Sequence, residues 1–216
     1  ASDWALIEAQ VRDVGTSATP LVGAFSRYGW WHPGPWAFYL LAPLYRLAGG
    51  DGNALLVVVA VLNTALLAVC TRLAWMIGGP RLCVLVSALL ARLVASMGAD
   101  LLIDPWNPWI AVLTFAAFLL AGWATTAGRA WALPVALATG SLAVQSHVGY
   151  AVTVGAVLVT VACYLLLDRR TSRPARPVVV VSVATLLVLW LPVVVDQVRG
   201  TGNLVDLVAF FGGARG

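Results

Sequence analysis

The sequence predicts an all-α, polytopic membrane protein, built as a bundle of membrane-spanning helices. Of its 216 residues 61% are hydrophobic and 10% are charged, whereas soluble domains average about 25% charged residues. The mean hydropathy is +0.92. Apolar residues gather into runs close to the ~20 residues that a span requires. Six runs are separated by short breaks: 53–77, 82–99, 108–125, 130–147, 149–167 and 178–195.

Composition also narrows the class of function. The sequence contains no Gly-rich phosphate loop, no dinucleotide fingerprint and no basic run interleaved with aromatic residues, so we expect no nucleic-acid partner. Its 13 basic residues are all arginine, against nine acids. In a membrane protein, the distribution of such an excess of arginine indicates which loops face the cytoplasm. The three cysteines lie in apolar runs without a CxxC spacing, which predicts buried free thiols.

Residues 4–14, "WALIEAQVRDV", predict an amphipathic helix that lies on the membrane surface. Its apolar side chains share one helical stripe and its charged side chains lie away from that stripe. The stripe consists of Trp4, Ile7, Val11 and Val14.

Residues 32–50, "HPGPWAFYLLAPLYRLAGG", predict an interfacial helix rather than a span. Pro35 to Gly49 is 15 residues, which as a helix covers ~22 Å of a hydrocarbon core ~30 Å thick. Pro43 and Arg46 interrupt the run as well. A helix in or dipping into the interface fits these features better.

If 32–50 does not cross, the charged breaks alternate between two faces. One face holds Arg72, Arg81, Arg129, Arg169, Arg170, Arg173 and Arg176. The other holds the N-terminal segment and Asp100, Asp104, Asp196 and Asp206. Arginine-rich short loops are cytoplasmic. We therefore expect a plasma-membrane protein whose acids and N-terminal segment are extracytoplasmic, delivered there by a preceding span. If 32–50 crosses instead, the arginine cluster stays inside and residues 1–31 become cytoplasmic.

This topology divides the chain into three parts. Residues 1–52 form an extracytoplasmic loop with the amphipathic and juxtamembrane helices. Residues 53–195 form a six-span membrane domain. Residues 196–216 form a second extracytoplasmic segment, which we expect to continue in a longer protein.

The acids that could carry chemistry gather on the predicted outer face: Asp3, Glu8 and Asp104. Each also has a structural interpretation. Asp3 could simply cap the helix that follows it. Glu8 could form an ordinary i,i+4 ion pair with Arg12. Asp104 precedes Pro105, and its role could be simply to shape a turn.

Three basic side chains are candidates for binding an anionic substrate: Arg92, His32 and His147. An arginine within a span is expensive and usually faces a partner or a cavity, although Arg92 could snorkel to the outer headgroups. His32 precedes Pro33 and could be a loop hydrogen-bond donor. His147 ends a run and could be a satisfied interface histidine.

Four features in order resemble a known family: an acidic residue that opens an amphipathic helix, "HPGPWAFYLLAPLYRLAGG", "NALLVVVAVLNTALLAVCTRLAWMIGG" and "DPWNP". They are similar to the N-terminal membrane half of the GT-C superfamily, polytopic glycosyltransferases that use polyprenyl-phosphate sugars. The combination of "HPGP", "DPWNP", "QSHVGY" and "LPVVVDQVRGTGNL" is similar to uncharacterised actinobacterial membrane proteins of this type. The resemblance implies a GT-C-like fold with a juxtamembrane helix. It implies that Asp3 is the catalytic first-loop acid and Asp104 the second acidic position, with Glu8 a weaker substitute. Asp3 is followed by Trp4, where many members have a second acid.

The resemblance implies transfer of a sugar from a polyprenyl-phosphate donor, in contact with membrane lipid, to a glycan or protein acceptor outside the cell. A carboxylate would act as the general base. Arg92, His32 or His147 would bind the departing lipid phosphate. The motifs specify no cofactor and leave a divalent metal open.

Two other classes of function remain open. A transporter or flippase of a lipid-linked substrate would carry polar residues through the depth of the bundle, where the sequence offers few besides Arg92 and Asn63. A non-catalytic membrane scaffold is the third class. The enzyme hypothesis predicts an outward cavity in which Asp3 and Asp104 face each other.

Overall fold

The computed structural model describes residues 3–167 and 174–213, and the regular structure in these ranges is entirely helical. Nine α-helices follow one another in the described residues, with a 3₁₀ turn at Val148–Tyr150 between α6 and α7. They are α1 (Asp3–Asp13), α2 (Trp36–Leu47), α3 (Gly52–Met97), α4 (Asp100–Ile103), α5 (Asn107–Thr126), α6 (Ala132–Ser146), α7 (Ala151–Leu167), α8 (Arg176–Arg199) and α9 (Asn203–Phe211). The predicted all-α class is confirmed.

In the described part of the chain, four helical segments are long and apolar enough to span a membrane: α3, α5, α8, and α7 with the 3₁₀ turn before it. The shorter apolar helix α6 has 15 residues, or ~22 Å. The chain is thus a candidate integral membrane protein by helix length and composition. The count of six spans stays a prediction.

The long helix α3 reverses direction at two glycines. Gly78 and Gly79 have non-helical dihedrals, and Gly79, at φ 66° and ψ −157°, is in a region that is essentially restricted to glycine. Asn63 Nδ2 donates hydrogen bonds to the carbonyl oxygens of Leu101 and Leu102, at 3.1 and 3.0 Å. A continuous helix would hold residues 38 positions apart at ~57 Å. α3 is therefore two antiparallel arms, and the predicted break between residues 77 and 82 is confirmed.

Helices α1 and α2 lie alongside each other at one end of the bundle. Ile7 and Val11 of α1 pack in one buried cluster with Phe38 and Leu41 of α2. Trp4, the first residue of the predicted stripe, is 43% exposed. Because α2 comprises only 12 residues, or ~18 Å, it is too short for a hydrocarbon core of ~30 Å. This agrees with the prediction that 32–50 does not cross.

Polar contacts fasten the far end of α2 to α1. Arg12 Nε donates to the Tyr45 hydroxyl at 2.8 Å, and that hydroxyl lies 2.6 Å from Glu8 Oε1. Arg46 donates to the carbonyl oxygen of Val14. Asp51 then caps α3, accepting from the amide of Ala54 at 2.8 Å, so the chain enters α3 from the end that carries α1.

The centre of the bundle is α5, which packs most extensively against α6 and the arms of α3. In contrast, α7 and α8 expose most of their apolar side chains, as expected for surfaces that face lipid. The predicted boundary 195/196 lies inside α8, which continues to Arg199, and the predicted boundary 52/53 lies one residue after the start of α3. Of the predicted arginine cluster, Arg169, Arg170 and Arg173 lie outside the described residues, and Arg176 begins α8.

Candidate functional site

A short hairpin between α1 and α2 forms the base of the site. The amide of Gly23 donates to the carbonyl of His32 at 2.8 Å, and the amide of His32 donates to the carbonyl of Ala24 at 2.9 Å. Phe25 and Trp31 form an antiparallel bridge. The hairpin therefore places aromatic and basic side chains from residues 25–32 beside the end of α6.

Glycine allows this hairpin to contact α6 directly. A Cβ built at Gly23 would lie 2.8 Å from the carbonyl oxygen of Gly34 and 2.9 Å from that of Gln145. A Cβ at Gly34 would collide with the side chain of Gln145, which is fully buried and donates to the carbonyl of Leu189 at 2.8 Å. The "HPGP" segment thus fits against α6 because neither glycine carries a side chain.

A cavity of about 920 Å³ opens at this end of the bundle. Its wall is formed by six parts of the chain: α1, the hairpin, Phe38 of α2, and residues 106–108, 147–149 and 210–211. The structure brings them together around one space.

Two histidines, both predicted as site residues, meet on the cavity wall. The ring centroids of His32 and His147 are 5.0 Å apart, with planes at 33°. His32 Nδ1 accepts from the amide of Val148 at 3.1 Å, and His147 Nδ1 accepts from the amide of Gly149 at 3.2 Å. The first turn after α6 therefore fixes both rings through the same nitrogen.

Burial holds both imidazoles in the neutral form. Burial, and secondarily the charge on His147, lower the pKa of His32 to about 4. The pKa of His147 is also lowered, again mainly by burial. A neutral imidazole carries one proton. Since Nδ1 accepts a hydrogen bond in each ring, the proton is on Nε2.

Trp30 extends the histidine pair into a row. Its ring lies perpendicular to that of His32, at a centroid distance of 5.0 Å. The indole is 7% exposed, and Nε1 is buried without a hydrogen-bond partner in the described part of the chain. A buried N–H without an acceptor is costly and calls for an explanation.

Helix α9 closes the aromatic side of the cavity. Phe210 and Phe211 each lie 5.8 Å from Trp30 between ring centroids. Asn203, at the start of α9, accepts from the amide of Trp31 at 3.1 Å and donates to its carbonyl at 2.9 Å. Its own amide donates to the buried carboxylate of Asp196 at 3.2 Å. Asp196 therefore orders the connection between α8 and α9.

The cavity wall carries one acid and one arginine among the described residues. Asp3 begins α1, is exposed, and has no hydrogen-bond or ion-pair partner within the described ranges. Arg27 lies over the ring of Tyr28, 5.1 Å from its centroid, and donates to its hydroxyl at 3.2 Å. An unpartnered carboxylate and a cation thus face the same space.

Three predicted site residues lie outside the cavity wall. Asp104 accepts from the amide of Trp106 at 2.8 Å, which is the turn-forming interpretation. Glu8 accepts from Arg12 at 2.7 Å in the ion pair that the sequence also offered. Arg92 is exposed on the second arm of α3, and no described acid pairs with it. The expectation that Asp3 and Asp104 face each other is therefore wrong.

Three residues of the site were not predicted from the sequence: Arg27, Phe210 and Phe211. Arg27 belongs to "FSRYGWWHP", a run of interfacial aromatic residues around one arginine. No sequence signal links the two phenylalanines to the hairpin, because the contact joins opposite ends of the chain.

The histidine geometry disfavours a metal ion bound through Nε2. Metal-ligating histidines almost always donate their other ring N–H to an acceptor, whereas both Nδ1 atoms here face amide N–H groups. No group of three or more His, Cys, Asp or Glu residues suited to a metal occurs among residues 3–167 and 174–213.

Comparison with known proteins found no matching family model, curated protein or solved structure.

Proposed function

We propose that this protein is a membrane glycosyltransferase of GT-C type, which transfers a sugar from a polyprenyl-phosphate donor to a glycan or protein acceptor on the extracytoplasmic side of the plasma membrane. One observation carries the proposal: Asp3, Arg27 and the two imidazoles line one open cavity among aromatic side chains. These are the groups that such a transfer needs, and the arginine bias predicts one membrane face for the parts of the chain that carry them.

Asp3 is the proposed general base. As the acceptor hydroxyl attacks the anomeric carbon, its proton passes to the Asp3 carboxylate, and the bond between that carbon and the phosphate oxygen breaks. The bonding electrons leave with the polyprenyl phosphate. A carboxylate with no other partner is free to take the proton, and general-base assistance is typically worth ~10²–10⁴ in rate.

The departing phosphate would be stabilised by hydrogen-bond donors on the same wall. Arg27 supplies a charged donor, and His32 and His147 supply neutral ones through Nε2. Donors aimed at developing negative charge are often the largest single contribution to catalysis. Aromatic faces at Trp30, Phe210 and Phe211 offer stacking surfaces for a sugar ring or an isoprenoid chain.

The test is transfer by the full-length protein in membranes supplied with radiolabelled polyprenyl-phosphate sugars. Asp3→Asn keeps the shape but removes the basicity, so we expect transfer to fall by about two orders of magnitude or more with binding of the sugar donor largely kept. Asp104→Asn is the matched control, because asparagine can still accept from the Trp106 amide. We expect its transfer rate to stay within about twofold of wild type.

Two outcomes would contradict the assignment. A larger loss in Asp104→Asn than in Asp3→Asn would exchange the roles of the two acids. Full transfer in both variants would exclude Asp3 as the base.

The absence of Asp104 from the cavity wall favours one further candidate, a carrier or scaffold that binds a lipid-linked glycan without reacting with it. That candidate predicts tight binding of the lipid-linked sugar and no transfer by the wild-type protein.

A further inference from the structure

We propose that Trp30, His32 and His147 form an N–H row, a subsite that binds one phosphate group through three uncharged hydrogen-bond donors. The proposal deepens the proposed function by assigning a place and a chemistry to the lipid phosphate, and it rests on that function only for the identity of the attached lipid. The proposal adds Trp30 to the two histidines as a residue that binds the phosphate, and it specifies which nitrogen of each histidine carries the proton.

The three rings are contiguous. Trp30 to His32 and His32 to His147 each measure 5.0 Å between ring centroids. All three side chains line the same cavity. The three side chains therefore border the space in which the phosphate group would bind.

Each member offers a donor without an acceptor. In the described part of the chain, the indole N–H of Trp30 has no partner although the atom is buried. Both histidine Nδ1 atoms are occupied by amides of residues 148 and 149, which leaves the proton on Nε2, and neither Nε2 has a protein acceptor within the described ranges. A buried donor without a partner is unfavourable, so a ligand that accepts from it recovers that cost.

The ligand that fits three such donors is an acceptor with several lone pairs and little charge. Donors cannot hold a cation, which excludes an ammonium group. The only formal charges on the described wall are those of Asp3 and Arg27, which have opposite signs. The net formal charge of the described wall is therefore zero. A phosphate that carries a single negative charge, as in a phosphodiester or a singly ionised monoester, suits such a wall better than a more highly charged diphosphate. Hydrogen bonds to a charged acceptor are stronger than those between neutral groups.

Single substitutions can remove each donor and keep the surrounding contacts. Trp30→Phe keeps an aromatic ring but removes the N–H. In His32→Asn and His147→Asn the amide oxygen replaces Nδ1 as the acceptor for the amide of residue 148 or 149, while the Nε2 donor is lost. Trp36→Phe is the matched control, because the Trp36 Nε1 is also buried without a partner but its side chain is not part of the cavity wall.

The experiment measures binding of farnesyl phosphate to the full-length protein in phosphatidylcholine nanodiscs by calorimetry, with farnesol and inorganic phosphate as parallel titrations. We expect farnesol to bind at least tenfold more weakly than farnesyl phosphate. Each of the three site variants should weaken farnesyl phosphate binding about tenfold, and Trp36→Phe should stay within twofold of wild type. Chelation with EDTA should leave the affinity unchanged.

Several results would overturn the N–H row. Wild-type affinity in Trp30→Phe and in both histidine variants would show that the phosphate binds elsewhere, and loss of binding in EDTA would show that a metal holds it. Equal affinities for inorganic and farnesyl phosphate would support the row but assign free phosphate as its ligand. Phosphate binding without any sugar transfer by the wild-type protein would support the row and contradict the proposed function.

Nitrogen NMR provides a readout that does not depend on variants. The 216-residue chain contains only two histidines, so ¹⁵N-histidine labelling reports on this pair. We expect a protonated Nε2 and an unprotonated Nδ1 in both rings at neutral pH, with the Nε2 signals shifting on addition of farnesyl phosphate. A protonated Nδ1 in either ring would overturn the assignment of donors.

Discussion

Replacement of Gly23 by alanine tests how closely the hairpin approaches α6. The added Cβ would lie 2.8 Å from the Gly34 carbonyl oxygen, 2.9 Å from the Gln145 carbonyl oxygen and 2.9 Å from the Cβ of His32. Two of these atoms belong to the backbone and cannot rotate away. The hairpin must therefore move as a unit, which also strains the 2.8 Å hydrogen bond from the Gly23 amide to His32.

Overpacking of this kind typically costs 1–3 kcal/mol, and we take about 2 kcal/mol here because the clash involves backbone on both sides. For a chain of this length that corresponds to a decrease in melting temperature of roughly 4–8 °C. Intrinsic tryptophan fluorescence of the purified protein during heating measures the shift.

Gly155→Ala is the control for this measurement. A Cβ at Gly155, inside α7, meets no atom within 4 Å, and alanine favours a helix by up to about 1 kcal/mol relative to glycine. We expect a melting temperature equal to or slightly above wild type. If Gly23→Ala and Gly155→Ala have the same melting temperature, the direct contact between the hairpin and α6 is refuted.

Two further predictions concern the same end of the bundle. Because the pKa of His32 falls to about 4 in the folded state from about 6.5 unfolded, the unfolded state binds more protons between these values. Stability should therefore fall as pH decreases from about 6.5 to 4, by up to about 3 kcal/mol. Thermal melts at pH 7 and pH 5 measure this loss, which His32→Asn should reduce. Asn203→Ala removes both hydrogen bonds to the Trp31 backbone, so hydrogen exchange in 203–211 should accelerate at least tenfold, and unchanged exchange would show that α9 is held by its phenylalanines alone.

Hydropathy and chain length predict much of this fold. The apolar runs correspond to helices because a backbone in lipid must satisfy its own hydrogen bonds. That α2 is too short to span a bilayer follows from its 12 residues and the thickness of the hydrocarbon core. The reversal within α3 follows from adjacent glycines before Pro80. These features depend on local sequence or on the membrane alone.

Other features depend on contacts between distant residues, and the sequence does not encode them locally. Asn203 reaches Trp31 across 172 positions and thereby brings Phe210 and Phe211 over the cavity. Trp4 belongs to an apolar stripe by periodicity, yet it remains exposed because α2 covers only the part of α1 that contains Ile7 and Val11. Periodicity identifies a face of a helix but does not identify how much of that face a neighbour covers.

The choice among the candidate acids depends on which hydrogen bonds each carboxylate already makes. Glu8 is held by Arg12 and Tyr45, and Asp104 is held by the amide of Trp106. Asp196 is buried among the amides and the hydroxyl of the α8–α9 connection. A carboxylate in such contacts would have to break them before it could accept a substrate proton. Asp3 makes no such contact in the described part of the chain and faces the cavity, which is why the proposed base is the acid at the start of α1.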